Sequence, residues 1–143
     1  MSGTEVYETR IMGIDYGEKR IGISLSDPTK TFAYSFDSLN NDKDFIERLK
    51  NLVHEKNVVK IILGLPSSDF IASKSLADKI KKLKSKLENT LKIEVIFWNE
   101  EYSSVIAKEK ILESVPKKSK RKDKGMIDSY SAAVILQEYL DSK

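Results

Sequence analysis

The chain alternates between two hydrophobic periods. Up to about residue 40 the apolar positions recur at every second residue. Ile11 to Ile14 and Ile21 to Leu25 are short runs rich in β-branched side chains, separated by Gly17 and charged residues, and two such runs around a short polar link predict a hairpin. Phe32 to Leu39 sets aromatic and apolar residues against Ser, Ala and Asp, the pattern of a third strand half open to solvent. Three strands with short connections imply an antiparallel meander. Past Asn40-Asn41 the period lengthens. Phe45, Ile46, Leu49, Leu52 and Val53 recur at spacings of three and four, which predicts an amphipathic helix that Asn41 or Asp42 can cap.

Val58 to Leu65 is a nearly unbroken apolar run ending at Pro66, as a strand covered on both faces requires. A second helix is expected from about Asp69 to Leu91, with Ile71, Leu76, Ile80, Leu83 and Leu87 inward and Lys74, Lys79, Lys81, Lys82, Lys84 and Lys86 largely outward. Ile93 to Trp98 reads as a fifth strand. Ser103 or Ser104 can cap a helix carrying Val105, Ile106, Ile111 and Leu112, and a last helix is expected from Met126 to about Asp141, with Ile127, Tyr130, Ala133, Val134, Gln137 and Leu140 at helical spacing. No internal repeat or linker divides the chain. The order predicts an α/β fold, one five-stranded mixed sheet of order 3-2-1-4-5 with right-handed crossovers and helices on both faces. That is the architecture of a ribonuclease H-like domain, expected over residues 10–143 behind a flexible N-terminal arm, residues 1–9.

Composition narrows the chemistry. In 143 residues, 40% are hydrophobic and 33% charged, the balance of a highly charged globular protein. There is no cysteine. Thiolate zinc sites, disulfides and cysteine nucleophiles are excluded, and a reducing, cytoplasmic setting is expected. A single histidine, His54, excludes histidine-rich metal sites, so any metal must be held by oxygen, as Mg2+ or Mn2+ is. The first residues carry Glu5 and Glu8 and no basic start or apolar run, unlike a secretory signal. No apolar stretch approaches the roughly 20 residues that span a bilayer, and no membrane partner is expected.

Chemistry enters with Asp15. It stands at the end of the first strand, where the alternation would otherwise continue apolar, and a carboxylate held there is costly unless it is solvated, hydrogen-bonded or paired with a cation. Gly17 and Gly22 are small enough to admit a phosphate or a neighbouring backbone. In open α/β sheets ligands sit beyond the carboxyl ends of the parallel strands. Strand five ends into Asn99, Glu100 and Glu101, and Asp128 opens the last helix. Asp15, Glu100 and Asp128 can therefore meet at one edge. Their mutual repulsion calls for bound cations or shifted protonation. Two divalent ions about 3.5 to 4 Å apart would activate a water on one side of a phosphodiester and stabilise the leaving oxygen on the other.

Blander roles compete for several of these residues. A strand-end or helix-start carboxylate can simply be solvated or favoured by the helix dipole. Asp27 before Pro28 reads as a turn former, Asp69 as a helix cap, and His54 and Trp98 as structural or surface residues. Arg20 either faces a phosphate or only flanks the hairpin. The net charge of +3 matters less than its placement: Lys117, Lys118, Lys120, Arg121, Lys122 and Lys124 crowd one apolar-poor loop beside Asp128. Such a loop is either solvated or, as we favour, a contact for a phosphate backbone that releases counterions on binding.

From about Arg10 to Asp141 the chain resembles the YqgF/RuvX family of pre-16S rRNA nucleases, formerly described as Holliday junction resolvases. The resemblance is carried by Gly13-Ile14-Asp15-Tyr16-Gly17 with Arg20-Ile21-Gly22-Ile23 and Ser26-Asp27, by Gly64-Leu65-Pro66, and by Trp98-Asn99-Glu100-Glu101-Tyr102-Ser103-Ser104. Asp128 through Ala132-Ala133, Ile135-Leu136-Gln137 and Tyr139-Leu140-Asp141 complete it. Each motif alone is weak, whereas four in this order are strong. The resemblance implies a metal-dependent endonuclease for structured nucleic acid, precursor ribosomal RNA above all, with Asp15, Glu100 and Asp128 as its catalytic, metal-binding acids. The family's Asp-Glu-Arg reads Asn99-Glu100-Glu101 here, so a cation that could contact phosphate is replaced by an acid that repels it. Ser103-Ser104 replaces a Thr pair and keeps both hydroxyls, and Asp69-Phe70 stands for Asp-Gly. Two alternatives follow: a Holliday junction resolvase on branched DNA, and a nucleic acid-binding protein on the same fold that has lost cleavage. A phosphate-binding domain of the sugar-kinase and actin type is more remote, because the hairpin has no second copy. Monomer and homodimer are both open.

Overall fold

In the computed structural model residues 8–65, 71–99 and 124–143 are described. Five strands, β1 (Arg10–Asp15), β2 (Arg20–Ser26), β3 (Ala33–Asn40), β4 (Val58–Leu65) and β5 (Glu94–Asn99), are joined with three helices, α1 (Phe45–Glu55), α2 (Ile71–Leu91) and α3 (Lys124–Asp141). The strands form one mixed sheet in the order β3-β2-β1-β4-β5, as the pattern predicts. β1 pairs antiparallel with β2, and β2 with β3, while β4 runs parallel to both β1 and β5. This is a ribonuclease H-like fold.

Alternation along the central strands sends successive side chains to opposite faces. Met12, Ile14, Ile21, Ile23, Leu25, Ile61, Leu63 and Val95 meet Phe45, Leu49 and Val53 of α1 and Ile80 and Leu87 of α2 in one apolar cluster. On the other face Ile11, Ala33 and Ile62 meet Ala133, Val134, Ile135, Leu136, Tyr139 and Leu140 of α3. The two clusters sandwich the sheet, and β1 at its centre contributes to both.

Several local expectations are corrected. Neither Asn41 nor Asp42 caps α1 as expected: the helix starts after Asp44 without a side-chain cap. Asp42 instead accepts the Asp44 N–H and the Arg48 guanidinium, each at 3.0 Å, and Asn41 donates to the Gly17 carbonyl at 2.9 Å. Lys124, placed by its charge in the basic loop, is the first residue of α3. That helix is also less amphipathic than its spacing suggests. Ala132 to Leu140 are all buried, Gln137 and Glu138 among them. Its far end is clamped by the Lys60 ammonium, which donates to the Tyr139 hydroxyl at 3.0 Å. That bond raises the Lys60 pKa against the effect of burial. In Tyr139, burial raises the pKa but bonds from Lys60 and Lys143 outweigh it and lower it.

The expected helix after Ser104, the loop from Lys117 to Lys122 and most of the N-terminal arm, residues 1–7, lie outside the described residues. Thr9, counted with that arm, accepts a hydrogen bond from Lys30 at 2.8 Å. Among the described residues no helix is long and apolar enough to cross a membrane.

Candidate active site

Asp15 is the last residue of β1 and pairs with Gly22 of β2. It is half-buried. By alternation it shares the α3 face of the sheet with Ile11 and Gly13. β4 lies next to β1, and beyond it β5 ends at Asn99, which pairs with Leu65. The ends of β1 and β5 are thus two strand spacings apart, roughly 10 Å. Glu100 follows Asn99 directly and lies outside the described residues.

Asp128 is placed by how α3 meets the sheet. At Gly13 the helix comes so close that a Cβ there would lie 2.7 Å from the Ala132 carbonyl oxygen and 2.8 Å from the Leu136 Cβ. Ser24, buried on β2 beside Gly13, donates its hydroxyl to the same Ala132 carbonyl at 2.8 Å. On β4, a Cβ at Gly64 would lie 2.5 Å from the Ile135 Cδ1. Near the opposite end of the strands Gln137 accepts the Ala33 N–H at 2.9 Å and donates to the Thr31 carbonyl at 3.1 Å. These contacts fix both the depth and the direction of the helix. From the Gly13–Ala132 contact, two residues along β1 lead about 6.7 Å to Asp15. One turn back along α3 leads about 6 Å to Asp128, toward the same edge. The Asp128 side chain lies outside the described residues, whereas its backbone position is set by this seat.

The turn after Asp15 is equally tight. A Cβ at Gly17 would collide with the Arg20 carbonyl oxygen, so a larger residue there would open the link between β1 and β2. Asn41 braces this turn from the end of β3, through its side chain on Gly17 and its N–H on the Lys19 carbonyl at 2.9 Å. Arg20, half-buried, starts β2 two residues before Gly22 and shares its face. Of the other basic candidates, Lys117, Lys118, Lys120, Arg121 and Lys122 lie outside the described residues.

Asp27 is the turn former its position predicts. Its carboxylate accepts the Thr31 and Phe32 N–H groups at 2.9 and 2.8 Å, the Thr29 N–H at 3.3 Å and the Thr29 hydroxyl. Burial pushes its pKa up, but these donors prevail and bring it down to about 2. His54 is exposed, and Trp98 packs edge-to-face on Tyr139 with ring centroids 5.7 Å apart. Neither points to catalysis.

As a donor set, Asp15, Glu100 and Asp128 offer carboxylate oxygen alone, which fits a hard divalent cation such as Mg2+ or Mn2+. Among the described residues no three His, Cys, Asp or Glu side chains form a metal-holding group. Sequence reasoning missed the seat of α3: Gly13, Ser24 and Gln137. A signal for it exists in β2, where Ile21, Ile23 and Leu25 alternate with Gly22, Ser24 and Ser26. A strand that is apolar on one side and small on the other invites a close helix on the small side.

Residues 9–142 match the model of the RuvX family, described as Holliday junction resolvase. A relative from Caldanaerobacter subterraneus subsp. tengcongensis, named "Putative pre-16S rRNA nuclease", is 34% identical over 137 residues, covering 94% of this chain and 97% of the relative. One of the same name from Clostridioides difficile is 37% identical over 136 residues, covering 94% and 95%. Among solved structures, Thermus thermophilus RuvC in complex with a Holliday junction superposes with a TM-score of 0.61 at 12% identity, covering 94% of each chain. The fowlpox virus Holliday junction resolvase superposes at 0.59 and 16%, covering 94% of this chain and 99% of the resolvase. At those identities the likeness is one of fold.

Proposed function

The chain belongs to the RuvX family, and on that premise we propose that it is a metal-dependent endonuclease that hydrolyses phosphodiester bonds in structured nucleic acid, processing pre-16S ribosomal RNA in the cytoplasm. One observation carries the reading. The seat of α3 on Gly13 and Ser24 directs Asp128 toward the strand end that bears Asp15, and β5 ends at Asn99, the residue before Glu100. Asp15, Glu100 and Asp128 would hold one or two Mg2+ or Mn2+ ions. Such ions, when bound, supply an activated water and charge stabilisation at the leaving oxygen. The protein's part is placement. Asp15 is rigid at a strand end, braced by the Gly17 turn and Asn41. Arg20, on the same face, would bind a backbone phosphate beside the scissile bond. Lys117, Lys118, Lys120, Arg121, Lys122 and Lys124 would draw the phosphate chain toward the acids and away from Glu101.

The test is cleavage of end-labelled pre-16S rRNA and of a four-way DNA junction, with Mg2+, with Mn2+ and with chelator, by the wild type and Asp15→Asn. RNA cutting that needs metal and falls at least about 100-fold in the variant is expected, as losing a metal-holding group implies. Cutting of the junction alone would transfer the activity to branched DNA. Binding by both proteins with cutting by neither would leave a binding protein on a nuclease fold, in keeping with Asn99 and Glu101.

A further inference from the structure

Three of the most exposed large apolar side chains among the described residues lie together at one edge of the sheet. Phe32, Tyr34 and Phe36 are 61%, 37% and 37% exposed. They recur at every second position along the approach to β3 and its first half, where Phe32 and Tyr34 are roughly 6.7 Å apart and Phe36 sits in the bulge between Ser35 and Asp37. Two of the rings carry a cation beside them. The Arg10 guanidinium donates to the Tyr34 hydroxyl at 3.0 Å, and the Lys56 ammonium lies 5.4 Å from the centre of the Phe36 ring. Lys30 adds a third positive charge in the turn before β3.

Carboxylates in the neighbourhood are turned to other tasks. Asp27 holds the turn through Thr29, Thr31 and Phe32, Asp37 accepts the Ser38 N–H at 2.7 Å, and Glu55 stands 3.7 Å from Lys56. An open strand edge could instead pair with a strand of a second copy. Here the register slips between Ile23 and Ser24, and a bulge of this kind discourages edge-to-edge pairing.

We propose that the Phe32-Tyr34-Phe36 stripe, with Arg10, Lys30 and Lys56, binds single-stranded RNA, its bases stacked on the rings and its phosphates met by the cations. The ring spacing is about twice the 3.4 Å per nucleotide of a stacked strand, so an extended strand with splayed bases matches it. β3 leads from this stripe to Asn40, the partner of Arg20, and so toward the strand end that bears Asp15. The stripe stands on the α1 and α2 face, since Tyr34 pairs with Leu25, so RNA flanking a bond cleaved at Asp15 on the α3 face would pass over the β3 edge. The choice of RNA over DNA rests on the function proposed above; the stripe itself does not.

The test measures binding of a fluorescent 12-nucleotide single-stranded RNA, and of the duplex of the same sequence, to the full-length protein. Phe32→Ala and Phe36→Ala should each weaken single-strand binding about 5-fold or more, with circular dichroism and melting temperature unchanged. Phe32→Trp and Phe36→Trp should retain it. Lys56→Ala should lower the slope of log affinity against log salt by about 0.7. Ring-dependent binding by a wild-type protein that cuts neither substrate overturns the nuclease and supports the stripe. Equal affinity for the duplex, or alanine variants that bind as the wild type does, overturns the stripe and leaves the nuclease standing. Alanine variants that dissociate a dimer while binding RNA normally would reassign the stripe to a contact between copies.

Discussion

Toward α1 and α2 the sheet presents Met12, Ile14, Ile21, Ile23, Leu25 and Leu63, all fully buried. Toward α3 the same strands present Gly13, Ser24, Ser26 and Gly64. The first face is held by apolar area, which is non-directional and tolerates substitution of similar volume. The second is held by close approach and by hydrogen bonds with defined partners: Ser24 to Ala132, Gln137 to Ala33 and Thr31, and Ser26 to the Ile11 N–H at 2.9 Å. One face supplies stability, and the other also supplies position. The helix that carries Asp128 lies on the face where position is fixed.

Substitutions on the two faces should separate these roles. Leu49→Ala removes a fully buried side chain of α1 and should cost about 2–5 kcal/mol in urea unfolding. Cleavage per folded molecule should stay near the wild-type value, since nothing on the α3 face moves. Gly13→Ala should cost less, about 1–3 kcal/mol, because it adds one methyl group. That methyl nonetheless meets the Ser24 hydroxyl, the Ala132 carbonyl oxygen and the Leu136 Cβ together, so the seat of α3 must shift. Its cleavage should fall further than its stability, and a Gly13→Ala protein as active as the wild type would break the contrast between the faces.

The smallest effect belongs to Asp27, whose turn presents the Thr31 carbonyl to Gln137. Its folded pKa, about 2, lies below the ordinary 3.8, so its stabilisation is fully present above about pH 4 and is lost as pH falls toward 2. For a partly exposed carboxylate the contribution is about 1 kcal/mol after solvent screening. Asp27→Ala should therefore be less stable than the wild type at pH 7, with a gap that narrows as pH falls through about 2. Acid unfolding curves for the two proteins would check this, and a gap that did not change between pH 7 and pH 2 would mean that the turn is held by something other than the carboxylate's charge.

Periodicity along the chain determined much of this protein by itself. The five strands, their 3-2-1-4-5 order and the places of α1, α2 and α3 follow from where the hydrophobic period is two and where it is near four, because burying one face of each element admits few arrangements. Asp15 was legible for the same reason, as a charge where the alternation called for an apolar residue, and Asp27 as a turn former from its neighbour Pro28. The tertiary structure alone decided how α3 lies on the sheet. Gly13, Ser24 and Gln137 carry no chemistry that a linear reading would select, and their role exists only when residues 108 positions apart, such as Ser24 and Ala132, touch. The cap of α1 and the assignment of Lys124 to a helix were settled in the same way. Local propensity offers several partners for an orphaned backbone group, and only the folded chain shows which one is within reach.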